Sequence, residues 1–301
     1  MFMGLDEVFL ILSIVEFLVG ILGNVFIGTV NCYEWVKNHK ISLADFILTC
    51  LALSRIMQLV VYLFQSFLMG PGAHIYLTYK LGRLFSLLWR VAIHLTTWLA
   101  TCLSIFYLLK IAQFSHSFFL WLKWRMNRVV LMTLVSSLAI LIFDLLLLER
   151  LFISDYILDG SNLTSHPTER KTSQVNTLII LSMTYFIPFL LSLTSLVLLF
   201  LSLVRHTRNL QRNSMASRDS STEAHKRAMK ILLSFLLLSV VHFISTQLAI
   251  WLFSVLWRDM FVRFLVLVMY VLPTGHSFIL ILGNKKLGQA VLKVYGILKA
   301  Y

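Results

Sequence analysis

The sequence predicts an all-α membrane protein, a seven-transmembrane helix bundle with its N-terminus outside and a short amphipathic C-terminal helix on the inner leaflet. Three observations predict it. The chain is 59% hydrophobic and only 13% charged, with a mean hydropathy of +0.85, whereas soluble domains carry about a quarter charged residues. Its apolar residues fall into seven runs, each long enough for the ~20 residues that a helix needs to cross the hydrocarbon core. Finally, Lys and Arg lie between the runs and concentrate in alternate segments, the pattern that fixes membrane orientation.

The first run, 8–30, follows a start without Lys or Arg. It is too long for the apolar core of a cleaved signal peptide, so it reads as a retained span. The second run, 43–68, carries Arg55 within it, and the third, 83–109, carries Arg90. The fourth, fifth, sixth and seventh runs cover 129–148, 177–204, 229–256 and 261–283. The segments near 31–42, 110–128, 205–228 and 284–301 hold more than twice as many Lys and Arg as those near 1–7, 69–83, 149–176 and 257–263. Basic loops stay cytoplasmic, which puts the N-terminus outside and the C-terminus inside.

Residues 149–176 are then the longest extracellular loop, and they hold Asn162-Leu163-Thr164, the only N-x-[ST] sequon of the chain. Asn162 is therefore the expected glycosylation site. Residues 205–228 form the third cytoplasmic loop and 284–301 the cytoplasmic tail. In that tail Leu287, Val291, Val294, Tyr295 and Leu298 share one helical face, away from Lys286, Gln289 and Lys293. Such a helix lies on a lipid surface. The three cysteines, Cys32, Cys50 and Cys102, all fall away from the outside, so no extracellular disulfide is expected. No internal repeat or linker divides the chain, and residues 1–301 read as one domain.

A net charge of +13 raises nucleic-acid binding, but that function needs a wetted basic surface on a soluble fold. Here the cations punctuate apolar runs, so no nucleic-acid partner is expected. Intramembrane hydrolysis has no two-aspartate, Ser-His or HExxH constellation at membrane depth, so no enzyme, cofactor or metal is expected. A transporter or channel would need charged residues along a continuous midplane path, and the deep ionisable residues here are few. That reading remains the alternative.

Four stretches carry a resemblance. LATCLSIFYLLKIAQFSHSFFLWLKWR (99–125), SLVRHTRNLQ (202–211), SRDSSTEAHKRAMK (217–230) and GHSFILILGNKKL (275–287) together resemble the bitter taste receptors, the type 2 taste receptors. The likeness runs over essentially the whole chain, with the motifs in the right order at the right topological positions. It implies a G-protein-coupled receptor of the plasma membrane, detecting bitter small organic molecules in the outer half of the bundle. It also implies a heterotrimeric partner with a gustducin-like α subunit and βγ.

The resemblance assigns residues as well. Asn24, Arg55, His276 and Ser277 match polar positions of helices one, two and seven. Polar groups are costly against lipid and turn inward to bond across helices, so these four are expected to form a cluster that repacks between states. Tyr107 and Lys110 stand at the base of the third helix and join them as activation residues, while His206, Arg208, His225, Lys226 and Arg227 are expected at the G protein. Trp121 and Trp124 suit an interfacial anchor.

The implied ligand pocket lies between helices three, five, six and seven. It draws on Trp89, Ile93 and His94 of the third helix and on Tyr185 of the fifth. His242 and Thr246 of the sixth and Val266 and Met269 of the seventh complete it. Two of these depart from the family pattern: Ile93 stands where many members carry Asn, and His242 where Tyr is usual. Arg90, beside Trp89, looks to the side of that pocket. A buried unpaired guanidinium is costly, so Arg90 needs a partner such as Glu16 or Asp144, a route by which to snorkel outward, or an anionic ligand.

Overall fold

The computed structural model describes residues 4–69, 79–160, 167–213, 220–253 and 260–300. Nine helices occur among them: α1 (Leu5–Asn38), α2 (Leu43–Met69), α3 (Tyr79–Ile111), α4 (Ser117–Trp124), α5 (Met126–Gly160), α6 (Pro167–Asn213), α7 (Ser220–Phe253), α8 (Met260–Gly283) and α9 (Lys285–Ala300). Seven of them, α1, α2, α3, α5, α6, α7 and α8, are long and apolar enough to cross a membrane. They contain six of the seven expected spans whole, and the other, 229–256, runs past Phe253 into residues outside those described. Most run further than expected, because a helix keeps its own backbone hydrogen bonds when it leaves the hydrocarbon. Within the segment expected as the longest loop, α5 continues to Gly160 and α6 begins at Pro167. Asn162 lies outside the described residues.

Local chemistry sets the ends. Asp6 and Glu7 occupy the first turn of α1, and the Glu7 carboxylate accepts from the Gly4 N–H at 3.2 Å. α1 stops at His39, which adopts a left-handed φ of 50°. Ser42 opens α2 with a reciprocal cap: its Oγ accepts from the Asp45 N–H at 3.1 Å and donates to the Asp45 carboxylate at 2.8 Å. His116 caps α4 through Nδ1, which accepts from the Phe118 N–H at 3.3 Å.

α3 packs against α2, α5 and α6, while α8 packs against α1, α2 and α7. Small residues permit the closest approach. A Cβ on Gly20 would stand 2.6 Å from Thr274 Oγ1 and 2.8 Å from Leu59 Cδ1, so α1 meets α8 and α2 only because that Cβ is missing. Two large apolar cores result, beside a smaller one of Leu108, Ala112, Leu199 and Leu203. One, toward the α4 and α9 end, holds Ile27, Leu51, Leu99, Phe106 and Leu280; the other, toward the opposite end, holds Leu59, Tyr62, Ile93, Val266 and Met269. Outward faces are apolar too, with Leu22 70% and Met132 72% exposed, as lipid contact requires. The three cysteines are free.

Candidate functional site

A polar layer separates the two cores. Arg55 of α2 is 1% exposed and its Nη2 meets His276 Nδ1 of α8, while Nη1 donates to Ser277 Oγ at 3.4 Å. A guanidinium only donates, so His276 Nδ1 accepts and the imidazole proton sits on Nε2. Asn24 of α1 donates to the Pro273 carbonyl at 3.1 Å and accepts from Ser277 Oγ at 2.8 Å. The four residues expected to cluster do so. Proline lacks an N–H, which loosens the helix around position 273, and the Pro273 carbonyl is where Asn24 and Ser277 both bond.

The layer extends along one face of α2, where Arg55, Gln58 and Tyr62 follow at i, i+3 and i+7. Gln58 Nε2 donates to Tyr62 Oη at 2.6 Å, and both lie 3.4 Å from His242 Nε2 of α7. Tyr270 of α8 closes the far side, edge-on to Tyr62 with ring centroids 5.4 Å apart. Gln58 and Tyr62 were absent from the sequence-based assignment. The signal available was their periodicity with Arg55 inside an apolar run.

His242 also borders a small cavity of about 60 Å³ at mid-bundle. α3, α6, α7 and α8 line it, and Ile93, Tyr185, His242 and Thr246 all reach it. Thr246 Oγ1 is buried with no hydrogen-bond partner among the described residues, so it is free to bond whatever fills the space. A second cavity of about 230 Å³, nearer the end opposite α4 and α9, is lined by Gln65, Trp89, Arg90 and Ile250 among others. His94, Val266 and Met269 reach neither. Val266 and Met269 are fully buried in the apolar core, and His94 faces α5 instead, its Nε2 2.9 Å from the Ser137 carbonyl.

Arg90 has its counter-charge. Its Nη2 lies 2.8 Å from Asp144 Oδ2 of α5, with both residues at most 2% exposed. It also bonds Thr184 and stacks 4.2 Å over the Tyr185 ring of α6. Of the partners open from sequence, the structure selects Asp144. His94 Nδ1 stands 3.6 Å from the same carboxylate oxygen, so α3, α5 and α6 converge on one buried charge pair beside both cavities.

At the α4 and α9 end, Tyr107 is half-buried and Lys110 is exposed, its Nζ 5.2 Å from the Phe106 ring centre. His206 is half-buried, Arg208 exposed, and Arg227 donates to the Leu282 carbonyl at 2.9 Å. The side chains of His225 and Lys226 lie outside the described residues. Lys286, at the start of α9, reaches Glu34 at 3.3 Å, Asp45 at 3.4 Å and Asn31 Oδ1 at 3.1 Å. It ties the tail to α1 and α2.

A family model described as taste receptor protein matches residues 1–299. Taste receptor type 2 member 42 of Pongo pygmaeus is 58% identical over 303 residues, covering 99% of this chain and 96% of that protein. The protein of the same name from Homo sapiens is 57% identical with the same coverage. Taste receptor type 2 member 7 of Macaca mulatta is 42% identical over 290 residues, covering 95% of this chain and 91% of that protein.

Proposed function

The chain belongs to the taste receptor protein family, as a multi-pass membrane protein, and from that premise we propose that it detects bitter small organic molecules in the mid-bundle cavity and activates a heterotrimeric G protein of the gustducin type. The observation that carries this reading is a row of buried polar groups along one face of α2. His242 borders the cavity and bonds Gln58 and Tyr62, and one turn along α2 Arg55 joins His276 and Ser277. A ligand against His242 and Thr246 therefore touches one end of the network whose other end holds α1, α2 and α8 together.

Ligand contact alone does not signal. The agonist must bind the active arrangement more tightly than the resting one, because equal affinity shifts nothing. A network shared by four helices supplies two arrangements to choose between, since its hydrogen bonds repack as a set and not one at a time. The basic end with α4 and α9 is the cytoplasmic side in this reading, and there Tyr107, Lys110, His206, Arg208, His225, Lys226 and Arg227 serve activation and G-protein contact. Residues 1–301 act as one receptor domain, with the outer segment 149–176 carrying the glycan at Asn162.

The test is a panel of bitter compounds applied to cells that express the chain and supply a promiscuous G-protein α subunit. Calcium release on agonist addition is the expected result. Tracer flux of the same compounds without calcium release would replace the receptor by the transporter. Within the receptor reading, His242→Ala raises the half-maximal concentration of active compounds by about tenfold, the loss of one buried hydrogen-bonding contact of ~1.4 kcal/mol.

A further inference from the structure

The junction of α4 and α5 carries a surface that the proposed signalling path does not use. α4 turns Phe119 inward against Phe114, with ring centroids 5.0 Å apart, and Lys123 Nζ donates to the Ala112 carbonyl at 2.9 Å, which pins the short helix to the end of α3. Its other face is apolar and open. Phe118 is 62% exposed, Trp121 48% and Trp124 87%, although residues of this kind are ordinarily buried.

Next to them lies a cationic cleft of about 470 Å³, lined by the six consecutive residues Lys123–Arg128. Arg125 stacks 5.0 Å from the Trp121 ring centre. Residues 111–143 contain no Asp or Glu, and no ion pair engages Arg125 or Arg128 among the described residues. From Arg128 onward α5 presents Leu131, Met132 and Val135 at i+3, i+4 and i+7, all exposed on the same face. A positive cleft thus stands directly at the end of an apolar stripe that faces the hydrocarbon.

We propose that this junction is a binding site for one anionic phospholipid, its phosphate headgroup held by Arg125 and Arg128 and its acyl chains laid along Leu131, Met132 and Val135. The juxtaposition decides the occupant. A free phosphate has no use for the apolar stripe, and a water-borne protein partner would not meet Leu131 and Met132 at hydrocarbon depth, whereas a phospholipid matches both halves in order. Trp121 and Trp124 belong at the headgroup level where such a molecule sits. Under the proposed topology this is the cytoplasmic leaflet, where anionic lipids concentrate and attract basic residues near the surface. That point rests on the sidedness of the receptor reading, while the site itself does not.

The experiment compares the wild-type chain with Arg125→Gln/Arg128→Gln in phosphatidylcholine nanodiscs, with and without phosphatidylinositol bisphosphate, and counts retained lipid by native mass spectrometry. The wild type is expected to retain the phosphoinositide in preference to phosphatidylcholine. The double variant loses that preference by roughly 30-fold, about fivefold for each arginine, with an unchanged melting temperature in phosphatidylcholine alone. Undiminished retention by a variant that melts normally overturns the proposal. Displacement of the lipid by water-soluble inositol trisphosphate at equal concentration also overturns it, since the apolar stripe would then contribute nothing. A variant that keeps the lipid but loses its agonist response makes the patch a protein contact instead.

Discussion

A guanidinium and a carboxylate 2.8 Å apart in the interior of a membrane bundle hold each other in place, because either alone would be an uncompensated buried charge. Arg90→Ala and Asp144→Ala are each expected to lower stability by about 3–5 kcal/mol. The signs are a depressed melting temperature of the purified receptor and joint loss of surface expression and of every agonist response. Replacing both residues with Met and Leu restores much of that loss. Glu16→Gln leaves it unaffected, since Asp144 and not Glu16 neutralises Arg90. An Arg90→Ala receptor that reaches the surface and loses only its acidic agonists would return Arg90 to the ligand.

The helices meet where side chains are small, and α1 is the clearest case. Gly20→Val forces a Cβ into Thr274 and Leu59, and overpacking of this kind costs about 1–3 kcal/mol. Gly28→Ala is the control: nothing lies within 4 Å of its added Cβ, so the change stays within about 0.5 kcal/mol. Thermal melting of the two variants side by side decides the matter, and equal melting points would mean that α1 does not approach α8 this closely. α9 depends on a different contact. Lys286→Gln removes the ion pairs to Glu34 and Asp45, and faster amide exchange across α9, with α1 and α2 unchanged, is the expected outcome. Leu287 remains buried beneath that helix, so α9 loosens at its polar anchor without losing its apolar one.

At the level of the whole receptor, the proposed reading places ligand recognition at mid-bundle and coupling at the α4 and α9 end. Lys110 and His206 lie toward the α4 and α9 end and do not line the cavity at His242 and Thr246. Alanine at either is expected to lower the maximal response or raise the basal signal in the calcium assay. A pure shift in half-maximal agonist concentration, with maximum and baseline intact, would count against the assignment. Sidedness has its own check. A glycosidase should shift the wild-type band and leave Asn162→Gln unmoved, and a variant that still shifts would reverse the topology or reveal another glycan.

Seven apolar runs and their basic separators sufficed to read the bundle, because a lipid solvent demands a complete helix for every crossing and leaves few alternatives. The polar cluster was legible through the resemblance, which picks out Asn24, Arg55, His276 and Ser277, and lipid supplies the reason that such groups turn toward one another. Which polar group meets which was not legible. Arg90 had Glu16 and Asp144 as partners of comparable standing, and His94 was assigned to the ligand cavity although it turns to Ser137 and Asp144. Gln58 and Tyr62, which follow Arg55 on one face of α2, read in the sequence as ordinary polar residues of an apolar run. Depth along a span follows from counting residues, since each adds a fixed rise. Rotation of one helix against another depends on how ridges, small residues and buried charges fit across interfaces between distant parts of the chain, and only the packed bundle decides that.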